Sequence, residues 1–261
     1  MSRPSRLDYA YAVGRVRALE RYLIPEAVFR EAAETGEFQS ALKIAYDAGR
    51  YPEDLIKAEK PEDLDALLLR EEEKLKREIK EILLDKDILE AALLEESPGE
   101  ALTSARKAGN AFVVDYFRQS IDLGNIKVFF RAKYLGFPAD RLERLFLPGG
   151  AISPRVLLES YRLPWTEAAD RFRSTAYGDL WIRAVEGLEE RETFIDLEKR
   201  SEDLVMAYLR RAKQITFGPE PVFAYGLARK KELRLVRLLG LGKMLRVPVE
   251  ILKERISATY V

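Results

Sequence analysis

The 261-residue sequence predicts an all-α protein. Apolar residues recur at steps of three and four through almost the whole chain, the spacing that builds one face of a helix. No stretch holds the strict alternation of a half-buried strand, and Pro, Gly and Ser fall between the periodic segments as start and stop signals. A charged content of 34% suits the solvated outer faces of long helices.

The first helix carries Tyr9, Val13, Val16, Leu19 and Leu23 on one stripe and ends or kinks at Pro25. Arg15, Arg17 and Arg21 lie off that stripe and read as a solvated face. After Lys60-Pro61, residues 61 to about 96 carry Leu68, Leu75, Ile82 and Leu89 at intervals of seven, with Ile79 and Leu93 beside them. Unbroken, this helix would be about 50 Å long at 1.5 Å per residue. Ser97-Pro98-Gly99 interrupts it, and a second long helix is expected from about Gly99 to Leu135, closed by a left-handed Gly136 and followed by a restart at Pro138. Its aromatics Phe112, Tyr116, Phe117, Phe129 and Phe130 are core candidates. Ser153-Pro154 caps the next helix, Thr166 another, Tyr177-Gly178 separates a further pair, and Phe217-Gly218-Pro219 precedes the last helical stretch. Trp165 and Trp181 fall in the shorter helices, where either packing or partner anchoring is open.

Composition narrows the chemistry. The chain has no Cys and no His, which removes thiol nucleophiles, disulfides, zinc sites built on those ligands, and every catalytic arrangement that needs an imidazole. No catalytic, cofactor-binding or metal-binding residue is assigned. An acidic run, Glu71, Glu72 and Glu73, cannot place three carboxylates on one helix face and reads as surface. Forty-four basic residues balance forty-four acidic ones, so no global field recruits nucleic acid. No apolar run approaches 18 residues and the start lacks an apolar signal core, so a soluble cytoplasmic chain is expected.

The segment GLGKML, Gly240 to Leu245, resembles half a phosphate-binding loop but fails at two of four signature positions. Arg237 stands where the first glycine belongs, and Met244 replaces the hydroxyl that holds a magnesium ion. A shift of 110 residues supplies another account: DLGNIKVFFRAKYLGFPADRLERL from Asp122 aligns without gaps on ELRLVRLLGLGKMLRVPVEILKER from Glu232. Leu123/Leu233, Lys133/Lys243, Leu135/Leu245, Pro138/Pro248 and Leu142/Leu252 are identical, and Asp122/Glu232 and Lys127/Arg237 keep their charge. A fainter third copy reads AVGRVRALERYLIPEAVF, with Pro25 as its restart. These copies suggest repeat units over 1–109 and 110–219, with 220–261 a further copy of the helix-turn-helix segment, all in one continuous body.

YAYAVGRVRALERYLI, DLGNIKVFFRAKYLGFPADRLERLFLPGGAIS and GPEPVFAYGLARKKELRLVRLLGLGKMLRVPVEIL together resemble the C subunit of prokaryotic and archaeal V-type (A-type) ATPases, the equivalent of the eukaryotic d subunit. The family's central signature is matched by Asp122, Asn125, Arg131, Lys133, Gly136, Pro138, Pro148, Gly149 and Gly150, and its terminal one by Glu220, Pro221, Tyr225, Glu232, Arg237, Gly242 and Lys243. The resemblance implies a funnel-like array of pseudo-symmetric helical repeats. It also implies a non-catalytic central-stalk rotor subunit, a socket coupling the central shaft to the membrane proteolipid ring of a proton- or sodium-translocating ATPase, with no small-molecule substrate. The chain is shorter than expected for the family by about one repeat unit, and Leu235 stands where the central copy has Asn125.

Asn125, Arg131, Lys133, Arg237 and Lys243 are the candidate site residues. They contact rotor partners or fix the repeat fold, and their recurrence at equivalent positions favours the second role. An unrelated helical-repeat scaffold that binds another protein is the alternative function.

Overall fold

The computed structural model describes residues 3–261, and these contain helices, turns and coil but no strand. The helices are α1 (Ala10–Glu20), α2 (Glu26–Glu34), α3 (Phe38–Ala48), α4 (Pro61–Ile82), α5 (Lys86–Leu93), α6 (Pro98–Ala108), α7 (Ala111–Tyr134), α8 (Ala139–Leu142), α9 (Pro154–Tyr161), α10 (Trp165–Phe172), α11 (Gly178–Arg191), α12 (Ile195–Arg210), α13 (Glu220–Met244) and α14 (Val249–Arg255). The all-α class read from the sequence holds.

The chain divides into two compact units. A split unit combines Met1–Leu93 with Met206–Val261, and an inserted unit holds Leu94–Val205. The C-terminal segment 220–261 thus joins the N-terminal residues. The expected boundaries at 109/110 and 219/220 both fall between helices.

In the split unit α13 is the axis, touching α1, α2, α3, α4 and α5. It is buried nearly all round, with Val222, Phe223, Val236 and Leu239 on different sides and the charged Glu220, Arg229 and Glu232 buried among them. Val236 and Leu239 meet Phe29, Leu42, Leu55, Leu64 and Leu67 in one core. In the inserted unit Phe129 and Phe130 of α7 enter a core with Leu157, Phe172 and Trp181. Trp181 is fully buried, stacked on Phe172 with centroids 4.3 Å apart, so it is a core residue. Phe117 and Tyr116 are buried as expected, whereas Phe112 is only half-buried.

Both expected long helices are broken. The first stops at Ile82 and restarts at Lys86. Asp85 caps the restart by accepting from the N–H groups of Asp87 and Ile88 at 2.9 and 3.1 Å, while its own N–H donates to the Tyr9 hydroxyl at 2.8 Å. The interval of seven fails across the break: Leu68, Leu75, Ile79 and Ile82 are buried, but Ile88 and Ala91 replace Leu89 and Leu93 on the inner face. The second breaks where Gly109 turns left-handed at φ 65° and Asn110 accepts from Val113 N–H at 3.1 Å. Thr166 is not a cap, because α10 already starts at Trp165 after Pro164. Ser153 does cap α9, accepting from Val156 N–H at 3.4 Å.

Candidate functional site

The two units contain the same brace, built around α7 in one and α13 in the other. Each long helix ends in a Schellman turn. Phe137 N–H reaches Ala132 C=O and Val247 N–H reaches Gly242 C=O, both at 2.8 Å, and the next bond inward runs from Gly136 to Lys133 and from Arg246 to Lys243. The left-handed residue is Gly136 at φ 64° in one copy and Arg246 at φ 54° in the other.

One turn before that end, a lysine caps a neighbouring short helix. Lys133 Nζ donates to Tyr161 and Leu163 C=O, both at 2.7 Å, at the C-terminus of α9. Lys243 Nζ donates to Ala33 C=O at 2.6 Å and to Thr35 C=O at the C-terminus of α2. An ammonium at these unsatisfied carbonyls fills their hydrogen-bonding need and meets the negative end of the helix dipole. Burial lowers the pKa of both lysines. Lys133 also lies 5.2 Å from the Trp165 ring centroid, which gives this half-buried indole its cation partner.

Three turns earlier, a buried carboxylate holds the strand of chain that enters the capped helix. Asp122 accepts from Ala151 and Ile152 N–H, each at 2.9 Å, and from the Tyr177 hydroxyl at 2.9 Å. Glu232 accepts from Ile24 N–H at 2.6 Å and from the Tyr51 hydroxyl at 3.0 Å. Burial and the adjacent carboxylate push both tyrosines well above the usual phenol range, so each stays a donor. Glu232 is further paired with Arg229, whose guanidinium also faces Glu71 at 3.6 Å, donates to Arg50 C=O at 2.8 Å and covers the Tyr51 ring at 4.3 Å. Burial raises the Glu232 pKa against the lowering effect of Arg229 and the Ile24 N–H. Glu71 is therefore an inward-facing partner, while Glu72 and Glu73 pair with Lys76 nearer the surface.

Lys133 and Lys243 are the capping lysines, and the other sequence-derived candidates lie on the same two helices. Asn125 bridges the backbone of Leu147 in both directions at 2.8 Å, and Leu235 at the equivalent position of α13 is buried in the split unit's core. Arg131 and Lys127 share Glu198 on α12, and Arg237 makes a two-pronged pair with Asp65 on α4 at 2.7 and 3.1 Å. Pro25 stands directly before α2 as Pro138 stands directly before α8, each as an extended N-cap. Gly240 and Gly242 lie inside α13, where an added Cβ would stand 2.4 Å from Leu64 Cδ2 and 2.2 Å from Leu252 Cδ2. A helical backbone bonded to itself cannot cradle phosphates, and these glycines are small for packing. The sequence reading missed Tyr51, Tyr177 and Arg229; the signal for the carboxylates was present in the Asp122/Glu232 pairing.

Among the described residues, no group of three or more Asp and Glu is placed to hold a metal ion, and no helix is long and apolar enough to cross a membrane. The family model for the ATP synthase (C/AC39) subunit matches residues 37–255. The chain belongs to the ATP synthase (C/AC39) subunit family. Among curated relatives in that family, the C subunit of the V-type sodium ATPase of Enterococcus hirae is 28% identical over 140 residues, 54% of this chain and 42% of the relative. The C subunit of the A-type ATP synthase of Pyrococcus horikoshii is 30% identical over 144 residues, 52% of this chain and 38% of the relative. The match thus spans about two fifths of the length of these family members.

Proposed function

We propose that the chain is a non-catalytic coupling subunit of a V/A-type proton- or sodium-translocating ATPase, a socket joining the central shaft to the membrane proteolipid ring at its cytoplasmic face. The observation that carries this reading is the family match over residues 37–255. The braces support it physically. A part that passes torque gains from helices tied end to side by buried carboxylates and capping lysines, because close-packed interiors resist deformation. In this reading Asn125, Arg131, Lys133, Arg237 and Lys243 serve stiffness inside the chain rather than partner contact.

The test is depletion of the protein from its host, followed by measurement of ATP-driven ion pumping and of the nucleotide-hydrolysing head retained on membranes. Loss of coupled pumping, with co-elution of the tagged chain with shaft and ring subunits in the undepleted host, is expected. Unchanged pumping after depletion overturns the reading.

A further inference from the structure

Helix α1 is apolar on two sides. One side buries Tyr9, Ala12, Val13 and Val16. The opposite side exposes Tyr11 at 76% with Gly14 and Ala18, and the turns that flank the helix expose Leu7 at 69% and Tyr22 at 54%. At about 100° per residue Tyr11, Gly14 and Ala18 fall within an arc of roughly 60°, flanked by Leu7 before the helix and Tyr22 after it. A Cβ built at Gly14 would meet nothing within 4 Å. Large side chains at the ends and small ones in the middle make a saddle that accepts a rod about one helix wide.

Charge sets the chemistry of that rod. One edge of the saddle is neutral, because Arg15 pairs with Glu81. The other edge meets the turn at Arg211–Gln214, since Arg17 donates to the carbonyls of Ala212, Lys213 and Ile215. Arg17 is answered by Glu20 and Arg6 by Glu220. Arg210 donates to the Thr259 carbonyl, Arg211 and Lys213 lie over the Tyr208 and Tyr260 rings, and residues 206–219 contain no carboxylate, so Glu20, which pairs with Arg17 and also acts on Lys213, is the carboxylate that faces them. With exposed Arg21 added, this edge is strongly basic in a chain whose net charge is zero.

We propose that this face of α1 seats one amphipathic helix from another subunit of the complex, with its apolar stripe on Tyr11, Gly14, Ala18 and Tyr22 and its acidic side chains against Arg21 and Lys213. A second copy of this chain fits poorly, because self-docking would bring two basic edges together. A flat bilayer surface would leave the hollow at Gly14 and Ala18 unfilled. The source of the helix rests on the function proposed above; the chemistry of the seat does not.

The experiment places photoreactive benzoylphenylalanine at Ala18 of the full chain in its host, with a control at Arg155 in the inserted unit. The inference expects Ala18, not Arg155, to cross-link to one helix of another subunit with Asp or Glu three or four residues from the linked position. Tyr11→Ser/Tyr22→Ser and Arg21→Glu/Lys213→Glu should each weaken rebinding to complex stripped of this chain at least tenfold, with Tm within about 3 °C of the parent. No cross-link from Ala18 while the chain remains in the complex, or links only to lipid or to a second copy, overturns the seat and leaves the function standing. A link to an acidic helix outside any rotary ATPase keeps the seat and overturns the function.

Discussion

Lys243 caps the last carbonyls of α2 as Lys133 caps those of α9, although the helix that Lys243 serves lies some 200 residues before it in the chain. The inserted unit makes its brace from consecutive sequence. The split unit makes the same brace by bringing α13 back onto the N-terminal helices.

If each lysine is a helix cap, Lys133→Met and Lys243→Met should each lower stability by about 1 kcal/mol, discounted for partial exposure, or roughly 2–4 °C in Tm. Arginine should restore little, since its planar fork does not match two carbonyls reached by a single ammonium. Thermal unfolding followed by circular dichroism measures both, and full stability in the Met variants would remove the capping role.

The left-handed Arg246 is costly for a residue with a Cβ, and its counterpart is Gly136. Arg246→Gly is expected to raise stability by about 0.5–1 kcal/mol, and Gly136→Arg to lower it by a similar amount. Chemical denaturation midpoints at constant slope report the two signs.

Two glycines should respond to alanine in opposite directions. A Cβ on Gly178 would lie 2.2 Å from Arg173 C=O and 2.9 Å from its carbonyl carbon, backbone atoms that cannot step aside, so Gly178→Ala should cost about 2 kcal/mol or more. Gly124 in mid-α7 has nothing within 4 Å of that position, and Gly124→Ala should add about 0.5–1 kcal/mol of helix propensity. A denaturant titration showing the same sign for both would contradict this packing.

Glu232→Gln turns one of the two accepting carboxyl oxygens into a donor facing the Ile24 N–H or the Tyr51 hydroxyl and should destabilise the split unit by about 1–3 kcal/mol. Because burial raises the Glu232 pKa in the fold, ionising it is a net cost to the native state. Its contribution is full below the unfolded glutamate pKa and shrinks as pH rises through the higher folded value. The Tm gap between parent and variant should therefore be widest at the acid end of that window and narrow upward, as scanning calorimetry across it would show.

The sequence by itself determined the helical class, because periodic apolar stripes admit little else in a chain without alternating segments. It also determined the repeat, since Lys133/Lys243 and Pro138/Pro248 recur at a fixed offset. The break at Gly109-Asn110 had a local signal, a left-handed glycine before an Asx cap. The break before Asp85 had none as strong, because the Asp85 N–H is held by a tyrosine 76 positions away. Tertiary structure alone decided which carbonyls the two lysines cap and which tyrosines the two carboxylates hold. Those partners meet through folding of distant segments, whereas periodicity reports only which side of a helix faces inward, never what it faces.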